Sequence, residues 1–159
     1  MSEIFNEGKL FLYLEELHRS NLTCLELIPE DKLDFHPVQE LYTLKNTLHH
    51  MYANQRFFNL TARSGRMDVS LYKKLMAEKP ASKSDLKKFV QEVFTETKEL
   101  FKDSKLFIKQ VGTIAGVRQV MDLYMGELEH QLHHRGQVYF MLRMLKIEPP
   151  ESGFFMGLE

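Results

Sequence analysis

The sequence predicts an all-α chain folded as a four-helix bundle with a long crossover connection, and three observations predict it. Apolar residues recur at helical spacing in four long stretches, and the five prolines fall between or beside those stretches. No run alternates apolar and polar residues for long enough to make a useful strand, and no internal repeat is visible.

The first stretch places Leu10, Tyr13, Leu14, Leu17, Cys24, Leu25 and Ile28 on one face ahead of Pro29, which predicts a helix over residues 4–28. Residues 29–42 hold two prolines and no sustained period. Thr43 then offers a capping oxygen where Leu44, Leu48, Met51 and Phe58 begin a second helix, 43–62. The connection 63–83 contains Gly65 and Pro80; it reads as a long link with one short helical turn near 70–78, and its length suits the crossover. Ser84 and Asp85 open a third long helix, with Leu86, Phe89, Val90, Val93, Leu100 and Phe101 inward, ending near Ser104. After a loop with Gly112 and Gly116, residues 117–146 contain no proline and run Val120, Leu123, Glu127, His130, His134, Val138, Met141, Leu145. Steps of three and four residues are the pattern of a packed seam.

A chain of 159 residues is the size of one domain, here 1–159, and buries roughly 70% of the surface it exposes when unfolded. Hydrophobic residues at 43% and charged residues at 27% exclude a disordered or collagen-like chain. A formal net charge of −1 argues against a nucleic-acid partner. No apolar run reaches the length of a membrane span, the amino terminus lacks a signal-peptide core, and the lone Cys24 forms no internal bridge. These features place the chain in the cytoplasm. Cys24 reads as a core residue, as do the aromatic residues at helical spacing and Met121, Met125 and Met144.

Histidine is the unusual residue, with five of the seven at His49, His50, His130, His133 and His134. A helix turns about 100° per residue, so His130 and His134 lie some 40° apart and one turn along, aimed at a common centre. Two imidazoles buried in succession need partners, since an unpaired buried polar group costs on the order of 1–3 kcal/mol. A divalent cation answers that need, because neutral imidazole is the commonest metal ligand. On the second helix, His50 lies nearer the core-facing direction than His49, which is expected to face solvent or the first helix. The expected ligand set is His50, His130 and His134; three ligands leave a coordination position for water or substrate, as in a reactive site. Zinc is the first choice, with nickel, manganese or iron as the others that such a donor set accepts.

The segments TLKNTLHHMYANQRFF and GELEHQLHHRGQVYFMLRMLKIEPP resemble the two signature regions of the DinB/YfiT-like superfamily. In that family a Ser or Thr opens the second helix and the ligand histidine follows seven residues later, here Thr43 and His50. Its second region, H-x-x-H-H-R-G-Q, falls on His130, His133, His134, Arg135, Gly136 and Gln137, and its first and last histidines bind metal. The resemblance thus implies the same ligands, a bundle with a long crossover, and a homodimer. It also implies a small-molecule substrate: some relatives are S-transferases that join a low-molecular-weight thiol to an electrophile, the cation lowering the thiol pKa. A metal-dependent hydrolase is the alternative, and a non-enzymatic, metal-stabilised binding or stress protein a third reading. Two departures stand out. Lys146 occupies the place of a helix-ending glycine, and Gln131 follows the first ligand where an acid is frequent.

Glu127, one turn before His130, is the candidate catalytic residue: it can accept a hydrogen bond from a ligand imidazole, bind the cation, or act as a base. The plainer alternative is a partner for Arg135 or for a side chain of the first helix. Arg135 is expected to meet a surface carboxylate rather than a substrate anion. Gly136, costly inside a helix, suggests that another backbone passes close by. His18 and His36 read as ordinary.

Overall fold

The computed structural model describes residues 6–151, so the expected helix start at residue 4 and the outer ends of the expected 1–159 domain lie outside the described residues. The elements follow in the order α1 (Glu7–Leu27), α2 (Leu44–Ser64), α3 (Val69–Ala77), α4 (Lys83–Leu100), β1 (Gln110–Thr113), β2 (Gly116–Gln119) and α5 (Val120–Met144).

Local chemistry sets most of the boundaries. Asn6 caps α1 by accepting a hydrogen bond from the Lys9 N–H at 3.0 Å, and the chain leaves the helix at Ile28, just before Pro29. Thr43 caps α2 by accepting from the Asn46 N–H at 3.1 Å, and Gly65, at φ 80°, closes it with its N–H on the Thr61 carbonyl at 2.9 Å. The α4 cap is Ser82 rather than Ser84: its hydroxyl accepts from the Asp85 N–H at 3.1 Å. That helix stops at Leu100, short of Ser104, which opens a separate 3₁₀ turn.

Both α1 and α2 pack against α4 and α5, so α1 faces α2 across one core diagonal and α4 faces α5 across the other. Tyr52 of α2 spans the first diagonal, its hydroxyl 2.9 Å from Nδ1 of His18 and 3.4 Å from the Asn21 amide nitrogen. The bundle therefore crosses over, but not at the expected connection. Segments 28–43 and 101–119 make the diagonal steps, whereas 63–83 joins the neighbours α2 and α4 and carries α3. Connection length was a poor guide, because a neighbour-to-neighbour link that contains its own helix is also long.

The loop expected around Gly112 and Gly116 is instead an antiparallel hairpin, with Gln110 opposite Gln119 and Thr113 opposite Gly116. Only Val111 of its two strands is buried, so no apolar alternation marks it in the sequence. Backbone hydrogen bonds fix it to the α2–α3 link: Met67 N–H to Gly112 O at 2.8 Å and Gly112 N–H to Gly65 O at 2.9 Å.

The core joins all four long helices, with Leu10, Cys24, Leu48, Tyr52, Leu86, Val93, Tyr124 and Leu142 fully enclosed. Burial pushes the Cys24 thiol up to about 12, as expected of a core cysteine. Met125 and Met144, expected in the core, are exposed because apolar residues occur around the whole circumference of α5. No helix among the described residues is long and apolar enough to cross a membrane.

Candidate metal centre

Helices α2 and α5 run antiparallel, which sets Asn59 against Tyr124, Asn54 against Glu127 and His50 against His130. His134 lies one turn beyond. The ring centroids of His50, His130 and His134 form a nearly equilateral triangle with sides of 4.8, 4.7 and 4.6 Å. The ring planes are inclined at 71°, 86° and 79°. Nε2 of His130 is 2.9 Å from Nε2 of His50, and one nitrogen from each ring lies within 4.8 Å of the others. A tetrahedral ion with bonds of about 2.0–2.1 Å has donors about 3.3 Å apart, so small ring rotations separate this arrangement from a coordination shell.

The other nitrogen of each ring is also accounted for. Nδ1–H of His134 donates to Gln137 Oε1 at 2.7 Å, which leaves Nε2 with its lone pair. Nδ1 of His50 rests 3.3 Å from the thioether of Met76 on α3. Nδ1 of His130 is 3.4 Å from the Asn54 amide nitrogen and 3.7 Å from Glu127 Oε2, so a lone pair there faces an N–H and a proton faces a carboxylate. Both tautomers of His130 find a partner.

Electrostatics keeps the cluster neutral. Burial, with His134 and His49 nearby, holds His50 down to about 4. Burial, then His134, His50 and His133, holds His130 down to about 3, and burial also lowers His134. Neutral imidazole is the form that ligates a metal.

Glu127 is fully buried at 0% exposure, and burial raises its carboxyl to about 8 against two hydrogen bonds that favour the anion. Those bonds come from Asn54 Nδ2 to Oε2 at 2.6 Å and Gln131 Nε2 to Oε1 at 2.7 Å. Gln131 in turn donates to the Met51 carbonyl at 3.2 Å and accepts from Asn21 at 3.0 Å. The residue that departs from the family pattern is thus the hub of a buried polar chain from α1 to the histidines. Sequence reasoning missed Asn54, whose one signal is its place four residues after His50 on the same helix face. Glu127 does not pair with Arg135, whose guanidinium lies over the Tyr139 ring at 5.6 Å and, among the described residues, not against the expected surface carboxylate. The wheel does not show this, because it cannot say which aromatic face lies one turn ahead.

His49 corrects a further expectation. It is 2% exposed and packs against Phe89 of α4, with Nε2 unpartnered, because α2 contacts α3, α4 and α5 and has little free face. His133 is exposed and accepts from Gln137 Nε2 at 3.2 Å, so one glutamine steadies both His133 and His134. Among the described residues no other backbone passes Gly136: a Cβ there would meet nothing within 4 Å. His18, expected to be ordinary, stacks on Phe94 at 3.9 Å inside the bundle.

A cavity of about 500 Å³ opens beside His134, between the 37–42 segment and the last turns of α5. Leu41, Tyr42 and Phe140 form its apolar walls, and Glu40, Thr47 and Gln137 its polar ones. That is the size and character of a small-molecule site.

A sequence profile of the DinB family matches residues 1–154. No curated protein matches the chain. Among solved structures, a DinB-like protein from Bacillus subtilis is similar with a TM-score of 0.75 and 13% identity, covering 93% of this chain and 99% of its own. YfiT from Bacillus subtilis, described as "a probable metal-dependent hydrolase with an unusual four-helix bundle topology", has a TM-score of 0.70 and 16% identity, with 93% of each chain covered. The mycothiol-dependent maleylpyruvate isomerase has a TM-score of 0.69 and 10% identity, covering 84% of this chain and 61% of its own. At these identities the likeness is one of fold.

Proposed function

The chain belongs to the DinB family, and from that footing we propose that it is a metal-dependent enzyme in which His50, His130 and His134 hold one divalent cation and a small thiol is joined to an electrophile. The observation that carries this reading is the triangle of neutral imidazoles, each offering one nitrogen to a common centre. Three nitrogen donors suit zinc first, and nickel, manganese or iron after it. When bound, the cation supplies Lewis acidity that lowers the pKa of a thiol or of water.

The chain's own residues supply the rest. Gln137 holds His134 in the tautomer whose Nε2 is free, and Asn54 and Glu127 flank Nδ1 of His130, with Glu127 facing the tautomer that frees Nε2 for the cation. Leu41, Tyr42 and Phe140 give the cavity on one side of the site an apolar lining. The overall reaction, RSH + R′X → RSR′ + HX, breaks S–H and C–X, forms S–C, and releases the proton with the leaving group. The similarity to a mycothiol-dependent isomerase supports a thiol as substrate. The description of YfiT supports water as the alternative acceptor, giving a hydrolase from the same ligand set. A homodimer in the cytoplasm is part of the proposal, from family kinship and the buried lone cysteine.

Elemental analysis together with turnover tests the reading. One divalent ion per chain is expected, lost in His130→Ala and His134→Ala variants that keep their helical circular dichroism. Thiol-dependent conjugation of 1-chloro-2,4-dinitrobenzene should disappear with the ion. Ester hydrolysis without thiol dependence would favour the hydrolase, stabilisation by metal with neither activity would favour a structural role, and a protein without metal affinity would end all three.

A further inference from the structure

A second cavity of about 500 Å³ lies on the opposite side of the histidines, and the proposed function leaves it unused. It continues the same α2–α5 groove. Phe57 and Phe58 follow Asn54 by one turn of α2, and Leu123 precedes Glu127 by one turn of α5. Tyr72 of α3 closes one side and the β1–β2 hairpin the other. Asn54 lines this cavity and also donates to Glu127 at 2.6 Å while lying 3.4 Å from His130 Nδ1, so one side chain separates the cavity from the candidate ligands.

The charges of the cavity are few and distinct. Arg118 on β2 donates only to the neighbouring Val117 carbonyl, at 2.9 Å, and no carboxylate lies within ion-pair distance of it among the described residues. Asp122 is the opposing charge. Its carboxylate accepts from the Gln119 N–H at 2.9 Å at the amino end of α5, where the helix dipole favours an anion and the residue has a structural task. Aromatic walls with a single uncommitted guanidinium at the rim suit a ligand with an apolar body and one anionic end.

We propose that this cavity takes the second substrate, a carboxylate-bearing aryl or alkyl electrophile, and that Arg118 is the specificity-determining residue that reads its carboxylate. The histidine cluster would then lie between two substrates in one groove, the thiol beside His134 and the electrophile beside Asn54. This assignment rests on the transferase reading for the chemistry but not for the binding, so binding is what tests it.

Unreactive probes separate the two. With 4-phenylbutyrate and 4-phenylbutan-1-ol titrated into the full chain by ligand-observed NMR, the acid is expected to bind at least fivefold more tightly. Arg118→Gln should weaken the acid by at least fivefold and change the alcohol by less than twofold, and the preference should survive in metal-free protein and in His130→Ala. Equal affinity for acid and alcohol, or an undiminished preference in Arg118→Gln, would overturn the assignment. An Arg118-dependent preference in a chain with no thiol turnover would keep this cavity's role as an acid-binding site and remove the transferase reading. Turnover without that preference would do the reverse.

Discussion

Oε2 of Glu127 stands 3.7 Å from Nδ1 of His130, a fully buried carboxylate beside a ring that is only partly covered. Both its oxygens accept amide N–H bonds, so the carboxylate is held in place rather than free to swing towards the cluster centre. In the proposed site it would orient His130 rather than compete with it. Glu127→Gln and Asn54→Ala are expected to weaken zinc binding by about 10–100-fold, as measured against a chromophoric chelator. Unchanged affinity in both variants, with folding intact, would remove the positioning role.

His18 makes the metal-free protein sensitive to acid. The Tyr52 hydroxyl lies 2.9 Å from Nδ1, Phe94 covers the ring, and burial lowers the pKa from 6.5 to about 4. Between those values the unfolded chain binds the proton and the folded chain does not. The contribution is thus complete above pH 6.5 and is lost as pH falls towards 4. A His18→Gln variant should reduce the slope of unfolding free energy against pH in that window by about 1.4 kcal/mol per pH unit. Urea titrations at several pH values give that slope, and an unaltered slope would mean that His18 is protonated in the fold.

Gly136 occupies a motif position, yet among the described residues a Cβ there would meet open space. Gly136→Ala should raise unfolding free energy by about 1 kcal/mol, since the new Cβ meets open space and helix propensity improves. The residue also borders the cavity beside His134, so a stabilised protein with impaired ligand binding there would mark the glycine as a clearance device.

Lys146 ends α5 at φ 59°, with its N–H on the Arg143 carbonyl at 2.9 Å and the Ile147 N–H on the Leu142 carbonyl at 2.9 Å. This is a Schellman cap made by a residue that pays a steric penalty for it. Lys146→Gly should stabilise the protein by about 1 kcal/mol in thermal unfolding. Loss of stability would mean that the lysine side chain holds something its backbone conformation does not reveal.

Much of this was legible in the residues. Helical spacing places His130 and His134 one turn apart, and a wheel on α2 selects His50 over His49; the fold brings those three rings together. The wheel failed for His49 because it assumes one buried arc, and α2 is covered by α3, α4 and α5. The hairpin left no trace because one buried residue, Val111, makes no period. Asn54 and Gln131 stayed hidden for another reason: polar residues on a helix read as solvent-facing unless their partners, supplied by other helices, are known.

His50 and His130 are 80 residues apart. At ribosomal speeds of about 5–20 residues per second, roughly 4–16 s pass between making the first and the second. Throughout that delay an emerging polypeptide offers a lone imidazole from this set, with no chelating power. In the proposed site, capture of a cation by all three rings would thus await the docking of α5 on α2, making occupancy a late checkpoint on that step.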